Sequence, residues 1–234
     1  MSADHFDNHG FIVTPPILDH AALANLEREL AQIQLEGAGS RGLLDFSWCI
    51  ALAQLIRAHP SIHPFLPDDS VAVQCTYFEK SKDQNWLVPV HQDLSIQVRE
   101  KIACPELSGW SEKEGSIFVQ PPQSVLENVI AVRLHIDDCS AEDGPLRIVP
   151  GSHKSGRMTN QQALVERDKQ GETVCTVERG GALVLKPLLL HASSKASGNS
   201  KRRVLHFVYG PQSLPYGLKW QYAVEGEQSC CSTS

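Results

Sequence analysis

Val71-Ala-Val-Gln-Cys-Thr-Tyr-Phe78 marks the point where this chain changes character. Its β-branched and aromatic residues suit a pleated, half-buried surface, so the run reads as a strand. Runs of the same kind recur at residues 129–136, 146–149, 173–177, 182–185 and 204–209, separated by proline and glycine turns. Many short strands with such punctuation predict a mainly β fold, a barrel or jelly roll, with helices packed in front of it. Residues 160–168 are the one later stretch with a helical pattern.

The helices in front are legible before residue 70. Asp19 has the character of an N-cap, and Leu23, Leu26, Leu30 and Ile33 follow at helical spacing, with Gly37 placed to end the helix. A second helix is expected after Asp45, carrying Leu52, Leu55 and Ile56 and stopping before Pro60. The expected organisation is a single domain over 1–234. It has a helical part at 1–66, a β core at 70–210 and a tail at 211–234. Residues 99–128 hold Pro105, Gly109, Gly115, Pro121 and Pro122 and show little periodicity. They are expected to form a long irregular loop acting as a lid, since such loops inside compact domains are usually functional.

At 234 residues, 41% apolar and 21% charged, the chain has enough apolar material for a real core. A net charge of −6 leaves no basic field for a phosphate backbone, which argues against a nucleic-acid partner. No apolar run approaches the ~20 residues of a membrane span, and the first residues lack the pattern of a secretory signal. Seven cysteines, odd in number and without a CxxC, predict reduced thiols in a cytoplasmic protein rather than a disulfide framework or zinc site. The terminal Cys231-Ser-Thr-Ser234 fits a prenylation pattern only formally, and a polar tail is expected instead.

His91-Gln92-Asp93, followed 98 residues after the aspartate by His191, is the strongest chemical signal. On a strand, residues i and i+2 project to the same face and can share one metal. Two imidazoles and one carboxylate leave positions open for a co-substrate and dioxygen, the arrangement of a non-haem Fe(II) centre. His135-Ile136-Asp137 has the same spacing, at the end of another strand-like run, and the residues alone leave both pairs open.

Three blocks in order separate them by resemblance. They are His91-Gln92-Asp93, then Ile136-Asp-Asp-Cys-Ser-Ala-Glu-Asp-Gly-Pro-Leu-Arg-Ile-Val-Pro-Gly-Ser-His153, then His191-Ala-Ser-Ser-Lys-Ala-Ser-Gly-Asn-Ser-Lys-Arg-Arg-Val204. Over roughly residues 70–210 the chain resembles the phytanoyl-CoA dioxygenase family of Fe(II)/2-oxoglutarate oxygenases. The resemblance implies a double-stranded β-helix, the jelly-roll, cupin-like core, and makes His91, Asp93 and His191 the iron ligands. His135 lies too close to the glycine-proline block to serve. One departure is Val90, where the family often has an aromatic residue.

The resemblance also implies Arg202 as the partner of the far carboxylate of 2-oxoglutarate. A guanidinium suits that task because its planar fork donates two parallel hydrogen bonds. Arg203 should face the other way. Gln74, Tyr77 and Ser200 are further candidates for polar contacts to the co-substrate. Since the metal carboxylate Asp93 is present, hydroxylation is the implied reaction, with desaturation or ring closure as variants. Arg133, which alternates away from Val132 and Leu134, is a candidate for pairing a substrate carboxylate, and a structural ion pair is its alternative reading. The expected substrate is a small carboxylated metabolite or amino acid. Rival readings are a cupin-like metal-binding protein without turnover and a zinc isomerase or hydrolase using the same ligands.

Overall fold

Thirteen strands and five α-helices are seen in a computed structural model that describes residues 2–33, 39–198 and 201–226. The helices are α1 (Ala3–His9), α2 (His20–Ala31), α3 (Ser47–Ala58), α4 (Gln123–Leu126) and α5 (Asn160–Gln170). The first strands are β1 (Phe11–Val13), β2 (Gly39–Ser40), β3 (Ser70–Lys80), β4 (Val88–His91) and β5 (Ile96–Val98). A hairpin of β6 (Ser108–Lys113) and β7 (Ser116–Gln120) precedes β8 (Ile130–His135) and β9 (Leu146–Ile148). The last are β10 (Thr173–Cys175), β11 (Ala182–Leu185), β12 (His191–Ser193) and β13 (Arg202–Pro211).

The strands form a six-stranded sheet, β1-β11-β8-β13-β3-β2, a four-stranded sheet, β10-β9-β12-β4, and a three-stranded sheet, β5-β7-β6. All pairings are antiparallel. This is the expected jelly-roll core with helices in front, and it does not close into a barrel.

Alternation along β3 and β13 decides what faces where. Ala72, Cys75 and Tyr77 of β3, with Leu205, Phe207 and Tyr209 of β13, pack under Leu23, Leu26 and Leu30 of α2 and Cys49, Ala53 and Ile56 of α3. Tyr209 carries its hydroxyl into that layer and donates to Ala53 O at 2.9 Å. Asp19 caps α2 as expected, accepting from Ala22 N at 2.8 Å. Gly37 lies outside the described residues. Leu55 departs from expectation: it is 46% exposed, because Cys49, Ala53 and Ile56 supply the buried stripe of α3. The opposite face of β3 presents Gln74, Thr76, Phe78 and Lys80 to a cavity between the sheets.

Residues 99–128 correct the expectation of an irregular loop. Glu114 and Gly115, at φ 50° and 73°, make a two-residue turn of the kind that matches strand twist, so β6 and β7 close as a hairpin. The side chain of Glu114 binds both the backbone N–H and the guanidinium of Arg41, pinning the turn to the segment before α3. Among the described residues no helix is long and apolar enough to cross a membrane. The five described cysteines are free thiols.

Candidate metal centre

Register brings the two distant histidines together. β12 pairs antiparallel with β4, and His191 stands opposite His91. Asp93 follows two residues later, its backbone N–H bonded to Pro187 O at 2.9 Å. His91 Nε2 lies 3.7 Å from Asp93 Oδ1, and His191 Nε2 lies 3.7 Å from Asp93 Oδ2. The three ligand atoms fall within 4.8 Å of one another, the one such group among the described residues.

The tautomers suit a metal. His91 Nδ1 bonds Pro89 O and His191 Nδ1 bonds Leu189 O, both at 2.9 Å. A carbonyl only accepts, so each Nδ1 carries the proton and each Nε2 keeps its lone pair for the centre. Desolvation holds His191 below its usual pKa, which keeps it neutral. Desolvation alone would raise Asp93, but the charge that the histidines acquire on protonation, together with Arg133, outweighs this and keeps its pKa below the usual value. The donor set therefore fits a divalent metal with one open face.

Gln92 turns away from the centre and fixes it from behind. Its amide nitrogen donates to Gly156 O at 2.7 Å and Leu188 O at 2.6 Å, and its oxygen accepts from Met158 N at 2.8 Å. The second His-x-Asp pair forms no such group of metal ligands among the described residues. His135 is buried on β8, whereas Asp137 is engaged by Arg203 at 2.6 Å.

Two compartments meet at the triad. The inner one, about 190 Å³, is lined by Lys80, Trp86, Arg133, Ser193 and Arg202 beside the metal residues. Arg202 stands opposite Lys80 in register and donates to Gly144 O, while its Nε has no partner among the described residues. Lys80 Nζ donates to Ser193 Oγ and Ser194 O, both at 2.6 Å, and lies 5.3 Å from the Trp86 ring centre. Arg133 donates to His206 Nδ1 at 3.2 Å. Burial pushes His206 down to about 3, so its ring is neutral and accepts. Arg133, Arg202 and a Lys80 that can be protonated thus surround a small space whose lining carboxylate is Asp93, a ready receptor for an acid.

Gly144 of the Gly-Pro-Leu block explains itself here. At φ 63° its carbonyl receives both Arg202 and Ser193 Oγ, and a Cβ would sit 2.5 Å from Ser194 O. Gly144→Ala is expected to cost at least ~2 kcal/mol from the left-handed backbone and the backbone clash together. Thermal melting checks this.

The outer compartment, about 390 Å³, opens from the same His91 and Asp93 and is walled partly by the β6–β7 hairpin through Lys113, Phe118 and Gln120. Gln74 lines this outer space rather than the inner one. Tyr77 must be corrected. It lies on the other face of β3, where its ring joins the core under the helices and its hydroxyl bonds Glu79 at 2.6 Å. Arg133 faces the inner space beside Arg202, not the outer cavity. Arg203 faces away as expected, held by Asp137 and Glu27. Ser200 lies outside the described residues. Lys80, Trp86, Ser193 and His206 were not anticipated. Counting by twos from Gln74 reaches Lys80 and excludes Tyr77, and counting by two from His191 reaches Ser193.

Among curated proteins none matches this chain in sequence. Solved structures share its fold. The epimerase SnoN from nogalamycin biosynthesis superposes with a TM-score of 0.67 at 15% identity, over 96% of this chain and 92% of that one. HygX from Streptomyces hygroscopicus with nickel, 2-oxoglutarate and hygromycin B bound gives 0.64 at 19% identity, over 98% and 93%. EctD from S. alaskensis in its apo form gives 0.69 at 15% identity, over 97% and 87%. The sequence profile of phytanoyl-CoA dioxygenase (PhyH) matches residues 6–204. A profile match over that span, on a chain whose triad and fold agree with it, shows that this protein belongs to the phytanoyl-CoA dioxygenase family, which uses Fe(II), 2-oxoglutarate and dioxygen.

Proposed function

We propose that this protein is an oxygenase that hydroxylates an unactivated C–H bond of a small molecule held in the outer cavity. The observation that carries this reading is the placement of the triad between two compartments, one cationic and one larger and mostly neutral. His91, Asp93 and His191 would hold iron, and Arg202 would fix the far carboxylate of 2-oxoglutarate. Bound there, iron, 2-oxoglutarate and dioxygen supply the oxidising power for C–H functionalisation, with release of succinate and carbon dioxide. Asp93 completes the carboxylate ligand, which favours hydroxylation. We assign Arg133 and Lys80 to the co-substrate's side, which removes the main support for a carboxylated substrate. The β6–β7 hairpin is assigned as the wall that shields the reaction. HygX, with nickel, 2-oxoglutarate and hygromycin B bound together, supports a small molecule beside the co-substrate.

The test is slow succinate formation without added substrate. Iron-loaded protein should convert 2-oxoglutarate to succinate in air, and Asp93→Ala should not. Absence of succinate from iron-loaded wild type would favour a metal-binding protein without turnover.

Lys80 makes the co-substrate step pH-dependent. Desolvation, then Arg202 and Arg133, push its ammonium down to about 7. An incoming carboxylate favours the charged form, so binding above pH 7 must take up a proton. Affinity for 2-oxoglutarate should therefore fall between pH 7 and 9, by up to about tenfold per unit. Lys80→Met should flatten that profile, as calorimetric titration across the range would show. In the free protein the sign is opposite. The folded state binds fewer protons than the unfolded one between pH 7 and 10.5, so stability rises with pH there.

A further inference from the structure

We propose that the outer cavity selects a neutral, polyhydroxylated molecule of sugar-like chemistry, with Gln74, Gln97 and Gln120 as the selecting residues. This rests on the oxygenase reading for its chemistry but on the cavity wall for its evidence. At about 390 Å³ the cavity falls within the ~300–1,000 Å³ usual for small-molecule sites.

Besides Gln92, whose amide is bonded at both ends, three neutral amides line it, each with one end held by the protein. Gln74 donates to Thr76 Oγ1 at 3.0 Å, which leaves its oxygen as the group to offer. Gln120 accepts from Arg157 Nη2 at 2.7 Å, which leaves its nitrogen. Gln97 is 1% exposed and donates to Ser116 Oγ at 2.9 Å, while its oxygen has no partner among the described residues. Turning that amide over only moves the deficit to the nitrogen. A hydroxyl group both donates and accepts, so it satisfies Gln97 in either orientation and matches Gln74 and Gln120 as well. Phe78, Phe118 and Trp220 line the same space and add aromatic surface suited to the C–H groups of such a molecule.

Charge argues against the alternatives. The lining arginine, Arg41, is already paired with Glu114. Lys113 is exposed and lies 5.3 Å from the Phe118 ring centre, the one lysine left for an acid. The lining carboxylate is Asp93, which belongs to the metal triad, so no free carboxylate remains to pair with the ammonium of an amino acid.

The test uses full-length protein loaded with nickel and 2-oxoglutarate. Saturation-transfer NMR would compare methyl glycosides, disaccharides and inositol with amino acids and hydroxy acids. Expected are signals from members of the first group, weakened at least tenfold by Gln97→Met and by Gln120→Leu. Both variants should keep wild-type 2-oxoglutarate affinity, which also reports an intact fold. Binding confined to the acids, loss of acid binding in Lys113→Gln, or sugar binding unchanged in both glutamine variants would overturn the proposal, as would no binding by any sugar. The two readings separate cleanly. Sugar binding without 2-oxoglutarate binding would sink the oxygenase assignment alone, and the reverse would sink this one.

Discussion

Asp93→Ala abolishes iron binding, whereas Asp137→Ala leaves it intact; this is the expected outcome with the largest effect. Asp93 is the shared neighbour of both histidines, 3.7 Å from each Nε2. Without it two neutral imidazoles remain, with no negative charge to offset the metal's. Altering only the groups that orient ligands typically costs 10–100-fold in affinity, so loss of a ligand should exceed about 100-fold. Asp137 has the same sequence spacing but another task. It binds the guanidinium and backbone N–H of Arg203 at 2.6–2.9 Å, and Arg203 also reaches Glu27 on α2. Removing Asp137 should cost about 1–2 kcal/mol of stability with iron affinity unchanged. Iron titration and thermal melting on the two variants separate these roles, and the opposite pattern would move the site to the second pair.

Arg202→Ala is the second. Arg202 is buried, its Nε has no partner among the described residues, and its Nη1 donates to the Gly144 carbonyl. Hydrogen bonds between charged groups are worth about 1.5–3 kcal/mol each. Losing a bidentate pair should then weaken 2-oxoglutarate by roughly 10²–10⁴-fold. Arg202→Lys should recover only part of this, because an ammonium has no planar fork. Arg203→Ala should leave 2-oxoglutarate affinity unchanged while lowering the melting temperature. Equal losses from Arg202→Ala and Arg203→Ala would show that charge alone, not the face of β13, governs binding.

Much of this was legible in the sequence because period and spacing are local quantities. The strand runs, the α2 cap at Asp19 and the i, i+2 ligand pair all depend on neighbours a few residues apart. That His91 and His191 stand opposite one another depends on β12–β4 register, which no local pattern states. The Glu114-Gly115 turn was hidden because glutamate is an unusual residue at positive φ, so the hairpin looked like loop. Tyr77 misled because a polar tip on a strand invites a functional reading, while parity with Gln74 already placed it on the other face. Lys80 was missed because a lysine at a strand end normally reaches solvent. Here β13 and the chain after β12 close over it, and only tertiary structure reveals that.

The most direct measurement of the central claim is an anaerobic titration of Fe(II)-loaded protein with 2-oxoglutarate, followed in the visible region. A weak charge-transfer band should grow with the co-substrate in wild type, persist in Arg203→Ala, and be lost at the same concentrations in Arg202→Ala and Asp93→Ala. Iron bound at His91, Asp93 and His191 with no such band at saturating 2-oxoglutarate would contradict the account.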